Sequence, residues 1–159
     1  GIQKVTVFRP VNAVGNQDIG FLPGTIDEKM APIAEAVYDS LRAIMPPDKI
    51  KSIRSKELLE VLPLTHIRGR TLPRTWVVID EAQSLERNAI MTALSRLGIG
   101  SKAVLCYDLE QRDDLRVGKY DGVFSVVQDL YGEKLSGHVT FKKTERSAVA
   151  ELINRKLSN

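Results

Sequence analysis

The chain has one cysteine, one tryptophan and two histidines in 159 residues, and aromatic residues make up only 6%. A lone cysteine forms no internal disulfide, so a reducing cytoplasm is the simplest expectation for its compartment. Cys106 sits in the apolar run AVLCY and reads as core filler. His66 and His138 lie far apart, and no Cys/His cluster has the spacing of a zinc site. No apolar run approaches the roughly 20 residues of a membrane-spanning helix, so no membrane partner is expected. The apolar stretch of GIQKVTVF is too short for a signal peptide and runs into Arg9 and Pro10. An initiator methionine is also absent. Gly1 directly precedes a strand-like segment, as in a trimmed or partial chain.

What is present is ordinary for a globular protein: 43% hydrophobic and 27% charged residues, read as a single domain over residues 1–159. The net charge of +3 is compatible with a polyanionic partner without requiring one.

Strand-like and helix-like patterns alternate along the chain. Val5–Phe8 is a short β-branched strand. Thr25 and Glu28 have the spacing of a capping box and open a helix with Met30, Ile33, Ala34, Val37, Leu41 and Ile44 on one face, ended by Pro46 and Pro47. A polar helix follows over Asp48–Ser55, then a strand at Leu58–Leu62 and a basic loop, Pro63–Thr75. Trp76–Ile79 is wholly apolar, as a parallel strand buried on both faces should be. Further helices are expected at Asn88–Leu97, Gly122–Leu130 and Ala148–Leu157, and further strands at Ala103–Tyr107 and His138–Phe141. The pattern predicts an α/β fold with a largely parallel sheet and helices on both faces.

Asp80 and Glu81 come directly after the apolar strand. In open parallel sheets, ligands bind beyond the carboxyl ends of the strands. A carboxylate there can hold Mg²⁺ while its neighbour orients or deprotonates an attacking water. The same dipeptide could instead cap the next helix, whose first turn favours acids. Gln83 completes DEAQ, the Walker B form typical of superfamily 1 helicases, and WVVIDEAQ (Trp76–Gln83) reads as a Walker B strand of a P-loop ATPase. After the next apolar strand, Asp108-Leu109-Glu110-Gln111 matches the D-x-x-Q of helicase motif III.

Taken together, the motifs resemble the PhoH family of phosphate-starvation-inducible ATPases over nearly the whole chain. The similar segments are Arg9-Pro10, IGFLPGTIDEKM (Ile19–Met30), PLTHIRGRTL (Pro63–Leu72), WVVIDEAQ and LSRLGIGSKAVL (Leu94–Leu105). KTERSAVAELI (Lys143–Ile153) looks most like the form in proteins that fuse a PIN nuclease to a PhoH ATPase. The resemblance implies a three-layer, RecA-like P-loop fold that binds and hydrolyses ATP. It places Asp80 and Glu81 at Mg²⁺ with Glu81 as base, Gln83 beside them, and Gln111 at the γ-phosphate. Asp108 and Arg9 would face the cofactor. It also implies ring-shaped homo-oligomers, hexamers in the family, that act on RNA. Arg68, Arg70 and Arg146 are candidates to stabilise phosphate charge, or, for the first two, to touch a nucleic-acid backbone.

Two features depart from the family pattern. No G-x-x-x-x-G-K-[ST] Walker A loop occurs: Gly118-Lys119 is followed by Tyr120, with Asp113 where the first glycine belongs. In relatives that loop lies upstream of the first strand seen here, so the expectation is a P-loop fold lacking its first strand, loop and helix. Relatives also carry glycine before the motif III aspartate, where this chain has Tyr107. Two functions remain open on these residues: part of an ATPase whose loop lies elsewhere, or a non-catalytic module that binds RNA or a protein.

Overall fold

A computed structural model describes residues 1–10, 26–109 and 122–141. Thr25 of the capping box, Gln111, Arg146 and the helix expected at 148–157 lie outside the described residues. The chain divides into two compact units, Gly1–Asp129 and Leu130–Asn159.

In the first unit the elements run β1 (Lys4–Arg9), α1 (Ile26–Arg42), α2 (Pro47–Ser55), β2 (Leu59–Pro63), β3 (Thr75–Ile79), α3 (Arg87–Leu94), β4 (Lys102–Leu105) and α4 (Val123–Leu130), whose last residue belongs to the second unit. Short 3-10 turns cover Leu64–Ile67 and Ala82–Ser84. All strand pairs are parallel, in the order β2-β1-β3-β4. The expected α/β architecture is therefore present. Parallel neighbours need crossover connections, and α1 with α2 joins β1 to β2 while α3 joins β3 to β4.

The register sorts the side chains. Phe8 pairs with Ile79 and Thr6 with Val77, so these four share one face of the sheet. On it they meet Ile90 and Ala93 of α3 and Val123 and Val126 of α4 in the main core. Phe8, Ile79 and Ile90 are wholly buried, each worth about 1.5–3 kcal/mol of apolar transfer. On the opposite face Val7 is buried, as are Met30 of α1 and Ile50 of α2, and α1 lies against β2. Arg54 of α2 joins α1 twice, pairing with Glu35 at 2.6 Å and lying 3.9 Å over the Tyr38 ring.

Several elements differ from expectation. α1 ends at Arg42, which leaves Ile44 exposed, and Pro46 serves as the N-cap of α2 with Pro47 inside its first turn. α3 stops at Leu94 rather than Leu97, because Leu97 leaves the helix to form a parallel bridge with Leu72. Cys106 is exposed and is not core filler. Among the described strands β4 lies at the edge of the sheet and is half-buried only on alternate residues, and Cys106 continues its open side.

Of the second unit, residues 130–141 are described. His138–Phe141 is not a strand, and Val139 and Phe141 are largely exposed. A strand needs a ladder partner, and the described residues 130–141 of this unit form no ladder among themselves. No helix among the described residues is long and apolar enough to cross a membrane.

Candidate nucleotide and metal site

Three strand ends converge beyond the carboxyl edge of the sheet. The parallel register that pairs Phe8 with Ile79 brings Arg9, the last residue of β1, opposite Asp80, the first residue after β3. The Asp80 N–H donates to the Phe8 carbonyl at 3.0 Å, tying the two ends together. From the other side, the Ala82 N–H donates to the Cys106 carbonyl at 2.9 Å, which ties the end of β3 to the residue after β4.

Glu81 turns the chain sharply. It adopts a left-handed backbone, φ 54° and ψ 37°, as it enters the 3-10 turn Ala82–Ser84. A side chain in that region costs about 1–2 kcal/mol, and the surrounding bonds hold it there. The Glu81 N–H donates to Asp80 Oδ1 at 3.1 Å. Arg9 Nε lies 2.9 Å from Asp80 Oδ2, and Arg9 Nη2 lies 3.3 Å from Glu81 Oε1. Gln83 is 3% exposed, and its Nε2 donates to Glu81 Oε2 at 2.6 Å. Its Oε1 accepts from the Asp108 N–H at 3.2 Å. The amide of one buried glutamine thus links the carboxylate after β3 to the backbone after β4.

Neither carboxylate caps the following helix. α3 begins at Arg87 behind Glu86, and the turn after Glu81 has no side-chain cap. That removes the capping alternative for the Asp-Glu pair.

The structure brings together Arg9, Asp80, Glu81, Gln83 and Asp108. It gives Arg70 a different partner: its Nη2 donates to Glu60 Oε2 at 3.1 Å, and Lys4 Nζ lies 2.6 Å from Glu60 Oε1. Burial alone would raise the Glu60 carboxyl, but the bonds from Lys4 and Arg70 outweigh it and hold the group below its ordinary range. Arg68 follows the 3-10 turn at Leu64–Ile67 and is exposed. Tyr107 turns its ring inward and packs against the main core, and burial raises its phenol. Although the Cys106 residue is exposed, partial desolvation of its sulfur raises the thiol, with the nearby Asp80 charge adding to it.

Sequence reasoning missed the direct Arg9 bridge across both acids and the Glu60–Lys4–Arg70 cluster. The first would show as one strand ending in arginine beside a parallel neighbour that runs directly into aspartate, a pairing that local sequence does not reveal.

As a metal site, the donor set is small. Among the described residues no group of three or more His, Cys, Asp or Glu side chains converges. Two adjacent carboxylates do suit Mg²⁺, which takes one or two protein carboxylates and fills its remaining positions with water and phosphate oxygens. They do not suit a metal that demands an all-protein cage.

A profile of the family described as PhoH-like protein matches residues 1–157. Protein PhoH2 of Mycolicibacterium smegmatis is 54% identical over 155 residues, covering 98% of this chain and 36% of the relative. Protein PhoH2 of Thermobispora bispora is 51% identical over 157 residues, covering 99% and 36%. Protein PhoH2 of Bacillus subtilis is 39% identical over 155 residues, covering 94% and 35%. The chain thus spans about a third of the length of these relatives. With an identity this high across almost every residue, a parallel α/β sheet of P-loop type and a DEAQ turn at its carboxyl edge, the chain belongs to the PhoH family.

Proposed function

We propose that these residues form the part of a PhoH-type ATPase that holds Mg²⁺ and activates water, in a protein that acts with RNA. The observation that carries this reading is the convergence of Asp80, Glu81 and Gln83 with Arg9 and Asp108 beyond the carboxyl ends of β1, β3 and β4. Asp80 would hold the metal, largely through water. Bound Mg²⁺ would supply charge neutralisation at the β- and γ-phosphates. Glu81 would accept a proton from the attacking water, and Gln83 fixes the orientation of its carboxylate. Gln111 remains the candidate for contact with the γ-phosphate, and Arg146 the candidate for transition-state charge. Arg68, exposed on a basic loop, is the better placed of the loop pair to meet a phosphate or an RNA backbone, because Arg70 is engaged by Glu60. A homo-oligomeric ring, hexameric by family resemblance, and a cytoplasmic location complete the proposal.

A phosphate loop is required for this chemistry, and no Walker A sequence occurs in the 159 residues. The 159 residues span about a third of the relatives' length, so they do not speak for the loop in the rest of the protein. The second reading is a non-catalytic PhoH-like module that binds RNA or a protein partner. One experiment separates them. In a full-length form that carries a Walker A loop, Glu81→Gln should abolish ATP turnover and spare nucleotide binding, because it removes the base and leaves the metal ligand. Hydrolysis that continues unchanged removes Glu81 from its role. A full-length protein with no such loop and no nucleotide binding leaves the module.

A further inference from the structure

Every oxygen of the Asp80–Glu81 pair already has a partner within the protein. Asp80 Oδ1 accepts the Glu81 N–H, and Asp80 Oδ2 faces Arg9 Nε at 2.9 Å. Glu81 Oε1 faces Arg9 Nη2 at 3.3 Å, and Glu81 Oε2 accepts from Gln83 at 2.6 Å. The guanidinium is thus the counter-charge for both acids at once. Nη2 donates to Glu81, while Nε meets Asp80 by charge and proximity without hydrogen-bond geometry, so one planar group serves both acids. The three side chains are only partly exposed, at 30% for Arg9, 36% for Asp80 and 46% for Glu81, so water screens the pair incompletely.

A divalent cation held by these oxygens, directly or through a water, would bring its charge close to the guanidinium that pairs with the same oxygens. Each carboxylate oxygen can accept more than one partner, so the conflict is one of like charge: the cation and Arg9 compete for the same two carboxylates.

We propose that Arg9 is a latch on the carboxylate pair: it competes with a divalent cation for Asp80 and Glu81, and cation entry displaces it. The inference rests on reading the pair as a metal site, as above. In the latched state Glu81 is held by Arg9 and Gln83 together and is not available as a base. Release frees both the base and an arginine fork shaped for phosphate oxygens. Arg9 thereby acts as a positioning residue that keeps the site idle until the cation arrives.

The test is a titration of Mn²⁺, standing in for Mg²⁺, followed by electron paramagnetic resonance on the chain without nucleotide. Arg9→Gln should bind Mn²⁺ about tenfold more tightly, the equivalent of removing two partly exposed ion pairs. Arg9→Lys should fall between, since an ammonium keeps the charge but does not bridge both acids. Asp80→Asn should lose the binding in either background. If Arg9→Gln unfolds, as thermal unfolding would show, the Arg9→Lys comparison with the native chain decides alone. Equal or weaker Mn²⁺ binding in the folded variants overturns the latch, as does a failure of native chain and variants alike to bind millimolar Mn²⁺. Because nucleotide is absent, the result is separable from the turnover test. Tighter binding in Arg9→Gln beside unchanged hydrolysis in Glu81→Gln would keep the latch and discard the base.

Discussion

Glu60 shows how one residue ties two strands and a loop together. It stands on β2, pairs with Lys4 on β1, and reaches Arg70 in the basic loop. Its burial opposes ionisation, yet two cations facing it win, so its folded pKa lies below the ordinary value of 4.5. A depressed carboxylate stabilises the fold above its unfolded pKa, and that contribution is lost as pH falls through the folded value. Urea unfolding should therefore show stability declining once the pH drops below 4.5. Glu60→Gln should flatten that acid decline and cost about 1 kcal/mol near neutrality, the order of two partly exposed ion pairs. An acid limb identical in the variant would show that other carboxylates carry it. The same residue governs the site indirectly, because it draws Arg70 toward β2 while Arg68 stays in solvent.

At the scale of elements, the entry side of the sheet is as tightly knit as the carboxyl edge. Leu72 and Leu97 form a bridge, the Leu72 N–H donates to the Arg96 carbonyl at 2.9 Å, and the Gly98 N–H donates back to the Leu72 carbonyl at 2.9 Å. This brings the backbones so close that a Cβ at Gly98 would stand 2.9 Å from Pro73 Cα and N. Backbone atoms give way poorly, so Gly98→Ala should cost about 1–3 kcal/mol in thermal or urea unfolding, although alanine is ordinarily the better residue. Unchanged stability would mean that the two loops separate freely. Much of this scale is legible in sequence. β3 is recognisable because four apolar residues run without interruption into two acids, although Trp76 proves exposed and not buried on both faces. The proline pair is legible only as the end of α1, and its role in opening α2 is not. The end of α3 is not, since Leu97 keeps helical spacing yet serves a neighbouring loop. Nor is the Arg9 bridge, because it depends on β1 and β3 being neighbours, and strand order is a non-local property that no local pattern encodes. Cys106 misleads for the same reason: an apolar run looks alike in a central strand and at an edge, and only topology places β4 at the edge.

At the scale of the whole chain, the 159 residues taken by themselves can do only the chemistry their own side chains support. A triphosphate carries several negative charges and would approach Asp80 and Glu81, which among the described residues are offset by Arg9 alone. P-loop enzymes overcome that repulsion with a cradle of backbone N–H groups at a helix N-terminus and a lysine on the β- and γ-phosphates. No Walker A sequence is present to provide them. On the proposed reading the carboxylate side would bind a cation once Arg9 yields, but no Walker A loop in these residues would seat the phosphates in line for attack. Positioning supplies most of the rate in phosphoryl transfer, so losing it removes turnover even when metal and base are intact. The 159-residue chain should therefore release phosphate from Mg·ATP at the rate of buffer alone, while the same residues joined to a Walker A loop should turn over. A colorimetric phosphate assay on both forms checks this. Hydrolysis by the shorter chain that disappears on Glu81→Gln would overturn it, for then the five residues at the carboxyl edge would suffice without a phosphate loop.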